Sequence, residues 1–380
     1  MSAGTRQERI AQVVRATRAK PGRFRDEHIT MAHGAGGKAS QTLIEGLLLP
    51  AFANDALALL GDAGIVPGDG AIVQGDAGAA PGDGGVVAGA TGLALTTDSF
   101  VVKPIRFPGG SLGELAVNGT VNDLAVSGAR PLALTLSLVL EEGLSAQELR
   151  EQVQEIALAA ERAGVQIVAG DTKVVERGHA EKMYACTTGL GALDPRARLS
   201  PRALRPGDRI LVSGAIAEHG MAVMLARDEF ELDAEIVSDT RSLWPAADAL
   251  LQSAGAELRC MRDATRGGVA SALNELARAS RVCALVHESE VPVAPAVAAA
   301  AELLGIDPMY VANEGRLLAF VAPEAAAGAL AALRAVPGCE HATEIGEILT
   351  EPSGMVLVDT AFGGRRVMDL LAGDPLPRIC

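Results

Sequence analysis

Asp98, Asp123, Asp171 and Asp263 each sit beside Gly, Thr or Asn at what reads as the end of a strand or the edge of a loop. Oxygen ligands of this kind suit Mg²⁺, which usually shares them with nucleotide phosphates. Two glycine-rich stretches run into helical patterns: Gly34-Ala35-Gly36-Gly37-Lys38, and Asp263-Ala264-Thr265-Arg266-Gly267-Gly268. A helix N-terminus approached by bare backbone N–H groups favours an anion. Lys38, Lys173 and Arg266 would then offset the charge that develops on a transferred phosphoryl group. Each of these elements also has a plain structural reading, as a cap, a turn former or a solvated charge. Their co-occurrence points to an ATP- and Mg²⁺-dependent enzyme, and composition and spacing do not name its substrate.

Neither glycine loop fits a standard nucleotide fingerprint. A Walker loop around Lys38 needs Gly at 32 and Ser or Thr at 39, and both positions are Ala. Gly34-x-Gly36-x-x-Ala39 fits a loose dinucleotide pattern, but Asp26-Glu27-His28 stand where a buried strand should precede it. A thiol is available at Cys380, beyond the extended run Gly373-Asp374-Pro375-Leu376-Pro377. Eight such residues reach about 26 Å, enough to enter a pocket in the same chain. A thiolate there would be a usable nucleophile.

The elements that must position these groups alternate strand and helix. Leu93–Thr97 reads as a strand, Leu112–Ser127 as a helix carrying Asn118, Asn122 and Asp123, and Leu132–Leu140 as a strand. Ser145-x-x-Glu148 is a capping box opening a helix whose apolar stripe is Leu149, Val153, Ile156, Ala160, ended by Gly164. Val165–Ala169 and Tyr184–Leu190 read as strands, with Gly170-Asp171-Thr172-Lys173 just past the end of the first. In the second half, strands at Arg209–Ser213, Leu317–Val321 and Met355–Val358 alternate with helices at Val269–Ala279, Ala294–Leu304 and Pro323–Val336. The loop Ala312-Asn313-Glu314-Gly315-Arg316 precedes the Leu317 strand. This alternation gives two α/β or α+β sandwiches.

Length and composition agree. The chain has 380 residues, is 49% hydrophobic and 3% aromatic, so its cores are built from Ala, Val, Leu and Ile. A formal charge of -14 argues against nucleic acid as the main partner. Five cysteines without a CxxC pair give neither a disulfide frame nor a zinc site. No early segment carries the pattern of a signal peptide and no apolar run is long enough to span a membrane, so a cytoplasmic location is expected. The expected organisation is a mobile arm at 1–27, an N-terminal domain at 28–195, a C-terminal domain at 196–372 and a flexible tail at 373–380. Repeated Gly-Asp units make 61–90 read as a solvated insertion without structure of its own.

Taken in order, the motifs carry a resemblance. Ala32-His33-Gly34-Ala35-Gly36-Gly37-Lys38, Thr96-Thr97-Asp98-Ser99-Phe100-Val101-Val102, Phe107-Pro108-Gly109-Gly110, Gly119-Thr120-Val121-Asn122-Asp123-Leu124-Ala125, Gly170-Asp171-Thr172-Lys173-Val174-Val175, Asp263-Ala264-Thr265-Arg266-Gly267-Gly268 and Asn313-Glu314-Gly315-Arg316 come first, and Pro377-Arg378-Ile379-Cys380 closes the set. Over roughly residues 28–380 it resembles the HypE family, the carbamoyl dehydratases of hydrogenase maturation, within the superfamily of aminoimidazole ribonucleotide synthetase.

The resemblance implies a two-domain fold of that superfamily. Its N-terminal domain is ferredoxin-like and pairs with its twin in a dimer barrel, and its C-terminal domain is an α/β sandwich. It implies that Cys380 accepts a carbamoyl group from a carbamoyltransferase, HypF. The tail then enters the ATP site, and dehydration leaves a thiocyanate. The cyano group passes to iron on a HypC–HypD complex, for the centre of a [NiFe]-hydrogenase. By motif match the catalytic residues are Cys380, Glu314 and Lys173. The Mg–ATP contacts are Gly36, Gly37, Lys38, Asp98, Asn122, Asp123, Asp171, Thr172, Asp263, Arg266 and Gly267, with Asp98, Asp123, Asp171 and Asp263 on the metal.

Overall fold

A computed structural model describes residue 26 and residues 37–48, 64–67, 92–227 and 235–371. Gly36, Cys380, the 1–27 arm apart from Asp26, and the 373–380 tail lie outside the described residues.

The first sheet has the order β1-β2-β7-β5-β6, from Gly64–Pro67, Gly92–Phe100, Met183–Leu193, Ala129–Glu141 and Gln166–Val175 respectively. Only β5 and β6 run parallel, joined by helix Ala146–Ala163. Ser145 caps that helix by accepting from Gln147 N at 3.2 Å, and Gly164 ends it in the left-handed region at φ 70°. The reciprocal half of the capping box is absent, because Glu148 turns to the Lys182 ammonium. Strand β1 corrects the reading of 61–90 as wholly without structure. Ile65 and Val66 are β-branched and lie between Gly64 and Pro67, a short strand signal masked by the surrounding Gly-Asp repeats.

Helix Leu112–Val126 is buried on nearly every side, unlike a surface helix with one apolar stripe. It lies on the first sheet with one flank and on the C-terminal domain with the other, where Ala125 and Val126 join the core of Leu211, Leu250 and Leu317. Gly113 permits the close crossing with helix 146–163: a Cβ there would stand 2.5 Å from Gln152 O.

The second sheet has the order β14-β13-β10-β12-β8-β11-β9. These strands are Arg365–Met368, Met355–Asp359, Cys283–His287, Thr343–Leu349, Arg209–Val212, Leu317–Val321 and Leu258–Asp263. Helices cover both its faces. Along β8 and β11 the residues alternate between two cores: Ile210, Val212, Leu318 and Phe320 face one, and Leu211, Leu317, Ala319 and Val321 the other. That double cover explains why β11 is apolar without a polar alternate.

Candidate active site

The site forms where helix 112–126 meets the C-terminal domain. On β2, Thr96 and Asp98 project toward that helix. The Thr96 hydroxyl donates to Asp123 Oδ2 at 2.6 Å, and the Thr120 hydroxyl donates to Asp98 Oδ2 at 3.4 Å. Asp98 lies inside the strand, which runs to Phe100, and not at its end as expected. Gly119 keeps the helix surface bare at this point. A Cβ on it would press on the Phe100 ring at 2.7 Å and stand 3.9 Å from Glu314 Oε2.

Glu314 is buried and held by its neighbours. Asn313 Oδ1 accepts from Ala217 N at 2.7 Å, and Asn313 Nδ2 donates to Ala264 O at 2.8 Å and Val311 O at 3.1 Å. Burial pushes the Glu314 carboxyl well above its ordinary range, and the charges of Asp263, Asp239 and Asp98 push it further, with Arg266 opposing them. A carboxyl raised in this way holds a proton more readily than an ordinary one, which suits it to proton transfer. Thus Glu314, Asp98, and the pair Asp263 and Arg266 gather from three separate stretches of sequence.

Asp263 ends β9, opposite Leu317. Gly267 at φ 75° then opens helix Gly268–Ser280. Gly268 is also left-handed, at φ 61°, and a Cβ on it would lie 2.6 Å from both Met309 O and Val311 O. Only glycine meets both demands.

Other expected residues are placed elsewhere. Gly37 is buried, but Lys38 points to the end of the C-terminal domain. Its Nζ lies 3.2 Å from Asp369 Oδ2, and its backbone N–H donates to Leu371 O at 3.2 Å. Asn122, expected among the cofactor contacts, brackets the two domains. Both amide donors are taken, by Arg241 O at 3.0 Å and Glu314 O at 3.1 Å, and Leu243 N donates to Oδ1 at 2.7 Å.

Asp171, Thr172 and Lys173 lie within β6 and not past its end. The strand continues because Asp171 pairs with Ser137 and Lys173 with Val139 on β5, which runs on to Glu141, well past Thr135, the partner of Ala169. The register Asp171, Ser137, Cys186, Ser99 puts Asp171 on the face opposite Asp98, since successive side chains alternate. Lys173 Nζ meets Asp171 Oδ2 at 3.2 Å, with the two side chains 69% and 61% exposed. The Lys173 ammonium and the Thr172 N–H hold the Asp171 carboxyl below its usual range.

Sequence reasoning missed the segment 235–243. Ser238 N donates to Pro108 O at 2.8 Å, and the Ser238 hydroxyl meets His219 Nδ1 at 2.8 Å. The His219 ring in turn stands edge-on to Phe107 at 5.4 Å. Asn118 Nδ2 donates to Thr240 Oγ1 at 3.1 Å. Asp239 is buried beneath Glu314. The available signal was an acid between hydroxyls, Ser238-Asp239-Thr240, in a stretch with no helical or strand period.

Among the described residues, no three His, Cys, Asp or Glu side chains stand close enough to enclose a metal ion. The donor set nevertheless fits Mg²⁺. It is all oxygen, Asp98 and Asp263 crowd a third carboxyl, and Mg²⁺ usually keeps phosphate and water among its ligands. No helix among the described residues is long and apolar enough to cross a membrane.

Comparison with known proteins agrees with this geometry. Residues 81–193 match the family "AIR synthase related protein, N-terminal domain", and residues 205–359 match the corresponding C-terminal domain. Carbamoyl dehydratase HypE of Bradyrhizobium diazoefficiens is 44% identical over 94% of this chain and 97% of its own length. A crystal structure of a HypE–HypF complex superposes with a TM-score of 0.77 at 39% identity, covering 87% of this chain and 99% of that one. The structure of hydrogenase maturation protein HypE in complex with ATP gives 0.73 at 40% identity, covering 93% and 100%. With both domains matched in order and the relatives covered almost end to end, the chain belongs to the HypE family of carbamoyl dehydratases.

Proposed function

We propose that this chain converts a carbamoyl group carried on the Cys380 sulfur into a thiocyanate at the expense of ATP, and so supplies cyanide ligands for the iron of a [NiFe]-hydrogenase. The observation that carries the chemistry is Glu314, a buried carboxyl with Asp98, Asp263 and Arg266 as its charged neighbours, which burial and like charge push well above its ordinary range. An amide oxygen is a poor leaving group, and phosphorylation by ATP makes it a good one. The carbamoyl oxygen attacks the γ-phosphorus and ADP leaves. The C–O bond then breaks, inorganic phosphate departs with that oxygen, and the nitrogen gives up both protons as the carbon–nitrogen triple bond forms. Glu314 takes protons from the nitrogen. Glu314 is itself buried, so its carboxyl works away from bulk water.

Asp98, Asp123 and Asp263 would hold Mg²⁺, which supplies charge neutralisation to the phosphates when bound. Arg266 and the backbone at Gly267 would offer charge and N–H groups to the same phosphates. Gly36, Gly37, Lys38 and Thr172 complete the nucleotide contacts in this reading, and the Lys38 ion pair with Asp369 must open for that. The chain acts as a homodimer. Support comes from β6, an edge strand exposed along nearly its whole length, with Val168 62% and Val174 69% exposed. A second copy on the uncovered face of this sheet would enclose Asp171 and Lys173, and both then serve the site of the neighbouring copy, Asp171 on the Mg²⁺ side and Lys173 on the reacting group. The carbamoyl donor is a HypF-type carbamoyltransferase, as the complex of a relative suggests, the acceptor is a HypC–HypD complex, and the setting is cytoplasmic.

The test is mass spectrometry of the C-terminal peptide after incubation with the carbamoyltransferase, carbamoyl phosphate and ATP. The peptide should gain one carbamoyl group and then lose one water. Cys380→Ala should show neither change. Modification that persists in this variant would remove the carrier role of Cys380.

A further inference from the structure

We propose that Asp239 is a positioning residue for Glu314, fixing the loop that presents this carboxyl to the reacting nitrogen; the inference rests on the role given to Glu314 above. The Asp239 side chain has no solvent exposure. Its Oδ1 accepts from Glu314 N at 3.1 Å, and its Oδ2 accepts from Gly315 N at 3.3 Å. Oδ2 also lies 3.6 Å from Arg316 Nε. One carboxylate therefore grips three consecutive residues of the catalytic loop. The backbones touch as well, since a Cβ on Gly315 would fall 1.9 Å from Asp239 O. A side chain at 315 would lift the loop off the 235–243 segment.

The grip is anchored in the other domain. Ser238 bonds to Pro108, Thr240 accepts from Asn118, and Asn122 ties Arg241 O, Leu243 N and Glu314 O together. Asn118 and Asn122 sit on the helix that carries Asp123, whose first residues follow the Pro108 turn. Asp239 thus sets Glu314 against the N-terminal half of the site, which the C-terminal domain alone does not do. Displacement of a catalytic group by about 1 Å can cost on the order of 10²-fold in rate. Arg316 does not depend on Asp239 alone, because its Nη2 meets Glu218 Oε2 at 2.7 Å and its Nε donates to Ala215 O at 2.7 Å. Asp239→Asn keeps the shape and one acceptor, and places an amide N–H against a backbone N–H.

The experiment uses full-length protein preloaded with carbamoyl by the carbamoyltransferase, followed by ATP in single turnover with the tail read by mass. Asp239→Asn should slow dehydration by about 10-fold or more, with carbamoylation, half-saturating ATP and melting temperature within about twofold or a few degrees of wild type. A rate equal to wild type would overturn the proposal. So would a loss of ATP affinity and melting temperature in proportion to rate, which marks a general structural role. The double variant with Glu314→Gln gives the sharper reading. If Asp239 acts through Glu314, adding Asp239→Asn to Glu314→Gln should cost nothing further, and additive losses would refute it. Wild-type dehydration in Glu314→Gln alone would instead remove the role of Glu314 itself. Thr240→Val, which cuts the bond to Asn118 and leaves Asp239 in place, should give a smaller loss of the same kind. Should Asp239→Asn not fold, a wild-type rate in Thr240→Val would count against the proposal.

Discussion

Asp171 and Glu314 are both carboxylates with a basic residue in reach, Lys173 for one and Arg266 for the other. On the sheet edge, Asp171 stays in water, accepts from the Lys173 ammonium and the Thr172 N–H, and is held below its usual range. Between the domains, Glu314 is dry, surrounded by three other acids, and driven the opposite way. The contrast shows that residue type and a nearby cation do not fix what a carboxyl can do. Desolvation and like charge decide, and both come from packing that only the assembled domains supply. The edge pair is a surface feature until something covers it, whereas the interdomain carboxyl is already desolvated and beside like charge.

The most severe way to break this comparison is Glu314→Gln. It keeps the shape and removes the base, so dehydration should slow by about 10²–10⁴-fold while the tail still takes up carbamoyl. Accumulated carbamoyl peptide that fails to lose water is the expected mass signature, and dehydration at the normal rate would refute the assignment.

A smaller effect is expected at the edge. Lys173→Ala should reduce dehydration by about 10-fold or more through lost charge stabilisation. Mixing the Lys173→Ala and Glu314→Gln chains sharpens the point. If Lys173 serves the neighbouring copy, exchanged dimers contain one intact site each, and activity should return on mixing. No recovery in subunits proven to exchange would place Lys173 in the site of its own chain.

The smallest effect is thermodynamic. A folded-state pKa raised above the unfolded value means that the native state binds the Glu314 proton more tightly. Protonated Glu314 therefore carries no penalty below the unfolded value. Stability falls as pH rises from there toward the folded value. Glu314→Gln should consequently melt higher than wild type at neutral pH, by about 2 °C, with the gap closing in acid. A gap that widens on acidification would contradict the direction of the shift. Thermal melts across pH decide this without any turnover.

Much of the frame was legible because it depends on local rules. Ser145 and Gly164 bracket their helix as the sequence predicts, since a cap and a left-handed terminus act within a few residues. Gly267-Gly268 opens its helix for the same reason. Strand ends were less legible. β6 runs on to Val175 because β5 offers it a partner, and hydrogen bonding between strands overrides the local turn signal of Gly170-Asp171. Asn122 was expected at the nucleotide by motif match, and only the docked 235–243 segment shows what its amide bonds.

The sequence by itself determined the two α/β halves, the glycine-opened helices and the set of acids and bases from which a Mg–ATP site can be built. Those follow from periodicity, φ restrictions and side-chain chemistry, all of which act over short spans. The tertiary structure alone decided which of those groups meet. It brought Asp98, Asp263, Glu314 and Arg266 together, sent Asp171 and Lys173 to an open edge, and buried Asp239 under the loop of Glu314 and Gly315. Burial and Coulombic neighbours belong to the packed chain, and no window of sequence contains them.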